Sequence, residues 1–392
     1  MKVFLIASSP ATGLLYNSTR IALALKSRGF EIHVATHGEG EQTPGLALSL
    51  EHAGIPIHRF PELARSGLQA LLGDNRSLRK TVRELDPNVI HLFGAVSAFQ
   101  VGAGHRARKV AMIAAMGHKR ASSLPSRAGA MLLNHFVDIV VAQCQAEHQR
   151  LTALGVHKNK LKIIFTPLDC KNFLSHLPTT PDEIQRVRLL SRVPDGRRML
   201  GFFANLQPSK RPDLLLRAFA QVSRDYGDWD VVIAGEGSER EACEALARDL
   251  AIHERVHFLG RVPNSQVVGL LSICDAVAHC SNAETFGYSM IEPLLLGKPT
   301  VVTRIGVGHE LEADRQAVVV APDNLSEFVA GLRRVMNPAE DVRQMVKSGI
   351  NYVKAKYDIH PIVDRLVEVY SYCNDTSASE SQSELLAQVG DE

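Results

Sequence analysis

The sequence predicts an α/β protein of two Rossmann-like domains, each with a parallel sheet, facing one another across a central crevice. Three observations lead there. The 392 residues exceed what one hydrophobic core usually supports, which favours two domains of roughly 150 to 200 residues. Short aliphatic or β-branched runs alternate with helical patterns in two separate series. Between the series, Pro167, Pro178, Pro181 and Pro194 stand among polar residues and break the rhythm.

In the first series, strands are expected at Val3–Ala7, Glu31–Thr36, Val89–Leu92, Val110–Ala114 and Ile139–Ala142. Ile21, Ala22, Ala24 and Leu25 recur at helical spacing between the first two, and Gly29 sits where a glycine ends a helix. The stretch from Pro167 to Pro194 reads as the interdomain connection with one short helix. Strands then follow at Met199–Ala204, Asp230–Ala234, Val256–Leu259, Ala276–His279 and Thr300–Thr303. Helical patterns at Leu325–Met336, Asp341–Lys356 and Ile359–Tyr372 close the folded part. The expected domains are residues 1–168, joined by the last helix at about 358–372, and residues 196–355. Residues 374–392 are polar and poor in aromatics, the composition of a disordered tail.

Six scattered cysteines form no C-x-x-C pair and give neither a zinc spacing nor a disulfide framework. The apolar run Val3–Ala7 is too short for a signal peptide and no stretch approaches the roughly 18 residues of a membrane span, so a cytoplasmic protein is expected. Residues 1–170 hold 20 Lys and Arg against 11 Asp and Glu, about +9, whereas the remainder is about −7. Clusters such as His105-Arg106-Ala107-Arg108-Lys109 and His118-Lys119-Arg120 suit an anionic or lipid-linked acceptor, or peripheral contact with the inner membrane face; a merely solvated basic face fits equally well. Nothing resembles a nucleic-acid module.

The chemistry concentrates after the strand that ends at His279. Glu284 falls in the following loop, Gly287 precedes a helix, and Glu292 lies in its early turns. A helix start with a glycine beside it favours a phosphate, and flanking carboxylates can accept hydrogen bonds from vicinal sugar hydroxyls. Two glutamates eight apart also suit an ordinary surface helix whose acids complement its dipole.

The neighbouring residues sharpen this. Glu284-x7-Glu292 around Phe286-Gly287, followed by Leu296-Gly297-Lys298-Pro299-Thr300-Val301-Val302, resembles the donor-site signature of the retaining glycosyltransferases of family 4, which have the GT-B fold. The likeness spans most of residues 198–325. It implies a nucleotide diphosphate sugar as co-substrate, no cofactor and no metal. By this resemblance Glu284 faces the transferred sugar, Glu292 the ribose, and Phe286, Gly287, Tyr288 and Ser289 the donor at the helix start. In Asn205-Leu-Gln-Pro-Ser-Lys210-Arg211, Lys210 takes the place of the lysine that holds the diphosphate, and Ala204-Asn205 stands where the family usually has Gly-Arg. Arg261 and Val262 match the loop that holds the base through backbone groups. Gly235 and Gly237 read as a tight turn before a helix capped at Ser238. Glu310, in a loop like the family's Gly-Gly-x-Pro-Glu, is as good a structural acid as a ligand.

In the first domain the opening Lys2-Val-Phe-Leu-Ile-Ala, a loop with Gly13 and Arg28-Gly29-Phe30 resemble the family more loosely. His91 matches the first histidine of the family's His-x-His and Phe93 replaces the second, leaving His118 as a substitute. Asp228-Trp229-Asp230 has the form of a metal-binding Asp-x-Asp, yet it precedes a strand where a ligand site would follow one.

The resemblance thus implies a retaining, metal-independent enzyme that moves a hexose-type sugar to an acceptor hydroxyl in glycan, glycolipid or polysaccharide synthesis, with Glu284, Lys210 and His91 as catalytic residues. Alternatives are a catalytically idle nucleotide-sugar binder or assembly partner, and a GT-B phosphorylase or epimerase.

Overall fold

In a computed structural model, which describes residues 1–7, 12–36, 44–64, 74–93, 100–101, 105–113 and 124–371, the first series of runs forms a seven-stranded parallel sheet. Its strands are β1 (Lys2–Ala7), β2 (Glu31–Thr36), β3 (Ile57–Arg59), β4 (Val89–Phe93), β5 (Arg108–Ile113), β6 (Ile139–Ala142) and β7 (Leu161–Ile163), in the order β3-β2-β1-β4-β5-β6-β7. The second series gives β8 (Arg198–Phe203), β9 (Trp229–Ala234), β10 (Val256–Gly260), β11 (Ala276–His279), β12 (Thr300–Thr303) and β13 (Val318–Val320), in the order β10-β9-β8-β11-β12-β13. Strand β4, buried at every position, is apolar but for His91 because helices cover both faces of the sheet. The direction of strand order reverses between β1 and β4 in one sheet and between β8 and β11 in the other. Such switch points open a crevice at the carboxyl ends of the strands.

Helices pack on the sheets through periodic apolar faces. In Pro212–Val222, Leu215, Ala218, Phe219 and Val222 are wholly buried, and truncating a side chain like Phe219 to Ala costs about 3–5 kcal/mol. Helix Ile359–Ser371 returns to the first sheet, where Tyr370 bonds to His91 on β4 and Asp364 pairs with Arg28 at 2.9 Å.

Several expectations need correction. The connection carries two helices, Cys170–Leu174 and Pro181–Ser191. Pro181, read as a breaker, is the first residue of the second, where its missing N–H costs nothing, and Thr180 and Glu183 form a reciprocal capping box before it. Gly13 lies inside the first turn of helix Thr12–Ser27 and not in a loop. The helix expected to be capped at Ser238 runs over Arg240–Asp249 with Glu239 at its cap position and no side-chain cap bond. His118 and residues 374–392 lie outside the described residues. Among those described, no helix is long and apolar enough to cross a membrane.

Candidate functional site

The loops after β8 and β11 meet at the switch point of the second sheet. The first ends in the short 3-10 turn Pro208–Lys210, and the second carries Glu284. Backbone contacts tie them together: the Asn282 N–H donates to the Ser209 carbonyl at 2.9 Å, and the Cys280 thiol donates to the carbonyl of Arg211 at 3.0 Å. The Lys210 ammonium therefore pairs with the Glu284 carboxylate at Oε1. His279 Nε2 and Ser281 Oγ approach the same oxygen, each at 3.2 Å. Three partners crowd Oε1, and Oε2 carries no hydrogen bond among the described residues. Burial alone would raise the Glu284 carboxyl, but the hydrogen bond and attraction of His279 and the charge of Lys210 outweigh it and hold it down to about 2.

Ser281, His279 and Glu284 share the residue types of a hydrolytic triad without its geometry. Ser281 and Glu284 meet the same ring nitrogen, and His279 Nδ1 is buried without a partner. A proton relay needs its acid and nucleophile on opposite nitrogens. This cluster orients a carboxylate and activates no nucleophile.

Beyond Glu284 the chain turns at Gly287, whose φ of 101° lies in the left-handed region, into helix Tyr288–Leu295. A Cβ there would meet Met290 Sδ at 3.1 Å. No side chain caps this helix start. Phe286 is buried against Tyr357, and its carbonyl accepts the Val307 N–H at 2.8 Å. Ser289 and Glu292 are half-buried. Burial pushes the Glu292 carboxyl up to about 7, with Arg20 pulling the other way. Glu292 lines a cavity of about 410 Å3 with Arg20, Tyr288, Asn264, Ser265 and His176. This cavity joins the helix start to the region just after Arg261, which is exposed, and Val262, which is half-buried.

Asn205 is exposed on the loop after β8. That loop lies against the glycine turn: a Cβ at Gly235 would fall 1.8 Å from the Ala204 carbonyl oxygen, and one at Gly237 2.1 Å from that of Leu206. Gly235 and Gly237 thus permit two backbones to touch. Arg211 does not turn toward the cluster; it pairs with Asp213 and Asp323.

His91, expected to be catalytic, lies inside the first sheet. The imidazole is wholly buried on β4, stacked on Phe93 at 4.6 Å, with Nδ1 bonded to the Tyr370 hydroxyl. Burial lowers it to about 3, which favours the neutral ring. The strand-end pattern could not show that the returning helix would cover it. Asp230, buried at the start of β9, accepts from Arg197 Nε at 2.7 Å and meets His257 Nε2 at 2.8 Å, a structural knot at the opposite edge of the sheet. Among the described residues no group of three or more His, Cys, Asp or Glu could hold a metal ion.

The sequence reading missed His279 and Ser281, whose signal was a polar pair five and three residues before Glu284. It also left Glu310 undecided. Glu310 is buried, and its Oε1 accepts the Gln145 N–H at 2.6 Å, capping helix Gln145–Ala153 of the first sheet from the second. Tyr288 makes a parallel bridge: its hydroxyl bonds to the Asn17 side chain and, at 2.9 Å, to the Pro167 carbonyl.

Comparison with known proteins gives two adjoining family matches. Residues 186–352 match the model for glycosyl transferases group 1, and residues 13–165 that for a glycosyl transferase 4-like domain. A D-inositol 3-phosphate glycosyltransferase of Corynebacterium urealyticum is 27% identical over 222 residues, 55% of this chain and 51% of its own. The GPI3 subunit of a phosphatidylinositol N-acetylglucosaminyltransferase of Saccharomyces cerevisiae is 25% identical over 177 residues, 45% of this chain and 39% of its own. The chain thus spans about half the length, or less, of these curated relatives. Among solved structures, Anabaena HepE in complex with UDP-glucose superposes with a TM-score of 0.77 at 22% identity, over 95% of this chain and 100% of that one. A sucrose-phosphate synthase of Thermosynechococcus elongatus gives 0.77 at 16% identity over 95% and 98%. These likenesses show the GT-B fold.

Proposed function

The chain belongs to the group 1 glycosyltransferases of family 4, and from that premise we propose that it transfers a hexose-type sugar from a nucleoside diphosphate to an acceptor hydroxyl. The observation that carries the reading is the meeting of Lys210 and Glu284 at the switch point, beside an uncapped helix start and with Glu284 Oε2 uncommitted. The ammonium suits a diphosphate, the helix start suits its oxygens, and Oε2 suits a sugar hydroxyl. Gly287 and Ser289 lie at that helix start. Asn205 follows the carboxyl end of β8, and Arg261 and Val262 that of β10, on the side of the sheet where the donor would bind, with a neutral amide at Asn205 where the family usually has an arginine. The cavity beside Glu292 is the place for the nucleoside, with the ribose hydroxyls donating to Glu292. A relative in the same fold, HepE, was solved with UDP-glucose, which supports a nucleotide sugar.

In the reaction, the bond from the anomeric carbon to the diphosphate oxygen breaks, and the acceptor oxygen bonds to that carbon. The acceptor proton passes to the departing phosphate oxygen. Lys210 meets charge that grows on the leaving group, so it acts more strongly in the transition state than in the ground state. A donor phosphate that serves as base on the attacking face gives retention, and the absence of an activated nucleophile from the Ser281–His279–Glu284 cluster agrees with that course. Lys210 supplies the cation that a divalent ion would otherwise provide, and Asp230 is committed to Arg197 and His257.

Thermal-shift measurements with UDP, GDP and ADP and their hexose esters test this. A ligand at a hundred times its Kd stabilises the native state by about 2.7 kcal/mol. A shift with a nucleotide sugar, together with slow release of free sugar, supports transfer chemistry. A second reading, a nucleotide-sugar binder without transfer, draws on the burial of His91; a shift with no sugar release across several acceptors would favour it.

A further inference from the structure

We infer that His279 is a positioning residue, which fixes the rotation of the Glu284 carboxylate so that Oε2 meets the donor sugar. The inference rests on the proposed role of Glu284 as acceptor for a sugar hydroxyl, and it adds a residue that the donor-site motif does not contain. His279 is the last residue of β11 and is buried, so its ring is held by the sheet and not by a loop. Its Nε2 stands 3.2 Å from Glu284 Oε1 and 3.2 Å from Ser281 Oγ.

Lys210 alone could not impose this orientation. An ammonium on four methylenes donates in any direction and would pair with either carboxylate oxygen. When a diphosphate draws that ammonium toward itself, Glu284 needs a second anchor that stays in place. His279 and Ser281 both approach Oε1 and leave Oε2 over. The carboxylate is then kept in one orientation whether or not the diphosphate is present, which is what a first contact with a sugar requires for pre-organisation.

The experiment compares each variant for the bare nucleoside diphosphate and for its sugar ester by titration calorimetry, using the UDP, GDP or ADP pair that the wild-type protein binds. His279→Leu is expected to bind the diphosphate within about two-fold of wild type and the nucleotide sugar roughly tenfold more weakly, with turnover falling alongside. His279→Gln, whose amide reaches as far as Nε2, restores most of the loss. In a Glu284→Ala background, His279→Leu makes no further difference, because the partner it acts through is gone. A residue that only packed the core would weaken both ligands alike and add its effect to that of Glu284→Ala; either result overturns the inference. Should His279→Leu fail to fold, His279→Asn, too short to reach Oε1, supplies the same contrast against His279→Gln. Wild-type protein that binds no nucleotide sugar of the panel overturns the donor-site reading itself, an outcome distinct from the failure of His279 alone.

Discussion

Lys210 and Glu284 stand 74 residues apart in the chain and meet as an ion pair at the mouth of the second sheet. In the proposed reading the pair brings together a group for phosphate and a group for sugar, and each has its own signature on substitution. Lys210→Ala is expected to weaken binding of the nucleoside diphosphate and to lower turnover by about 10²–10³-fold, the usual cost of losing a group that stabilises developing negative charge. Glu284→Gln removes the negative charge that competes for Lys210, so it should bind the bare diphosphate at least as tightly as wild type while turnover falls. Calorimetry with UDP or GDP and a sugar-release assay distinguish the two; equal loss of diphosphate binding in both variants would count against the division of roles.

Glu292 makes stability depend on pH. Its folded-state carboxyl, pushed to about 7, lies above the ordinary 4.5, so the folded protein binds this proton more tightly than the unfolded chain. Stability then falls as pH rises through the window from about 4.5 to about 7 and is flat on either side as far as this group is concerned. In Glu292→Gln that component disappears. Urea unfolding at half-unit steps between pH 5 and pH 8 checks it, and parallel curves for the two proteins would refute the assignment.

Glu310→Ala takes away the acceptor of the Gln145 N–H and leaves helix Gln145–Ala153 without its cap, at a cost of about 1–2 kcal/mol. Glu310→Gln keeps an acceptor oxygen and should lose less. The Gln145 amide itself is the direct probe: its hydrogen exchange should quicken in Glu310→Ala, and unchanged exchange would show that the cap contributes nothing.

Gly287→Ala strains a left-handed backbone by about 1 kcal/mol and also drives a methyl toward Met290 Sδ. Gly29→Ala is the control, since its φ of 84° brings the same strain with open space around it. Melting temperatures should drop further for Gly287→Ala, and only that variant should lose nucleoside diphosphate binding, by roughly tenfold. Equal behaviour of the two would mean that backbone strain alone is at issue.

The sequence disclosed what depends on neighbours in the chain. Strands β2, β6, β11 and β12 appear with the expected bounds, because a buried parallel strand is a continuous apolar run with turn residues at its ends. Strands β3, β7 and β13 have three residues each, too few for a pattern to stand out. At the site, Glu284, Gly287 and Glu292 could be set on a loop and a helix start because those are contiguous in sequence, whereas the meeting of Glu284 with Lys210, 74 residues away, could not be read from spacing. The fate of His91 could not, since it depends on Tyr370, 279 residues away. Nor could the task of Glu310, which turns on the backbone N–H of Gln145, 165 residues away at the start of a helix beside the other sheet.

The two crossings between the sheets run side by side. Leu168 and Asp358 form a parallel bridge, the Leu168 N–H donates to the Tyr357 carbonyl at 2.8 Å, and the Ile359 N–H donates back to the Leu168 carbonyl at 3.0 Å. The chain therefore leaves and re-enters its first half through a single doorway. The two ends of the stretch 169–357 lie side by side, held by the bonds of Leu168 to Tyr357 and Ile359, so the path out of the first sheet also fixes where helix Ile359–Ser371 begins its return to His91.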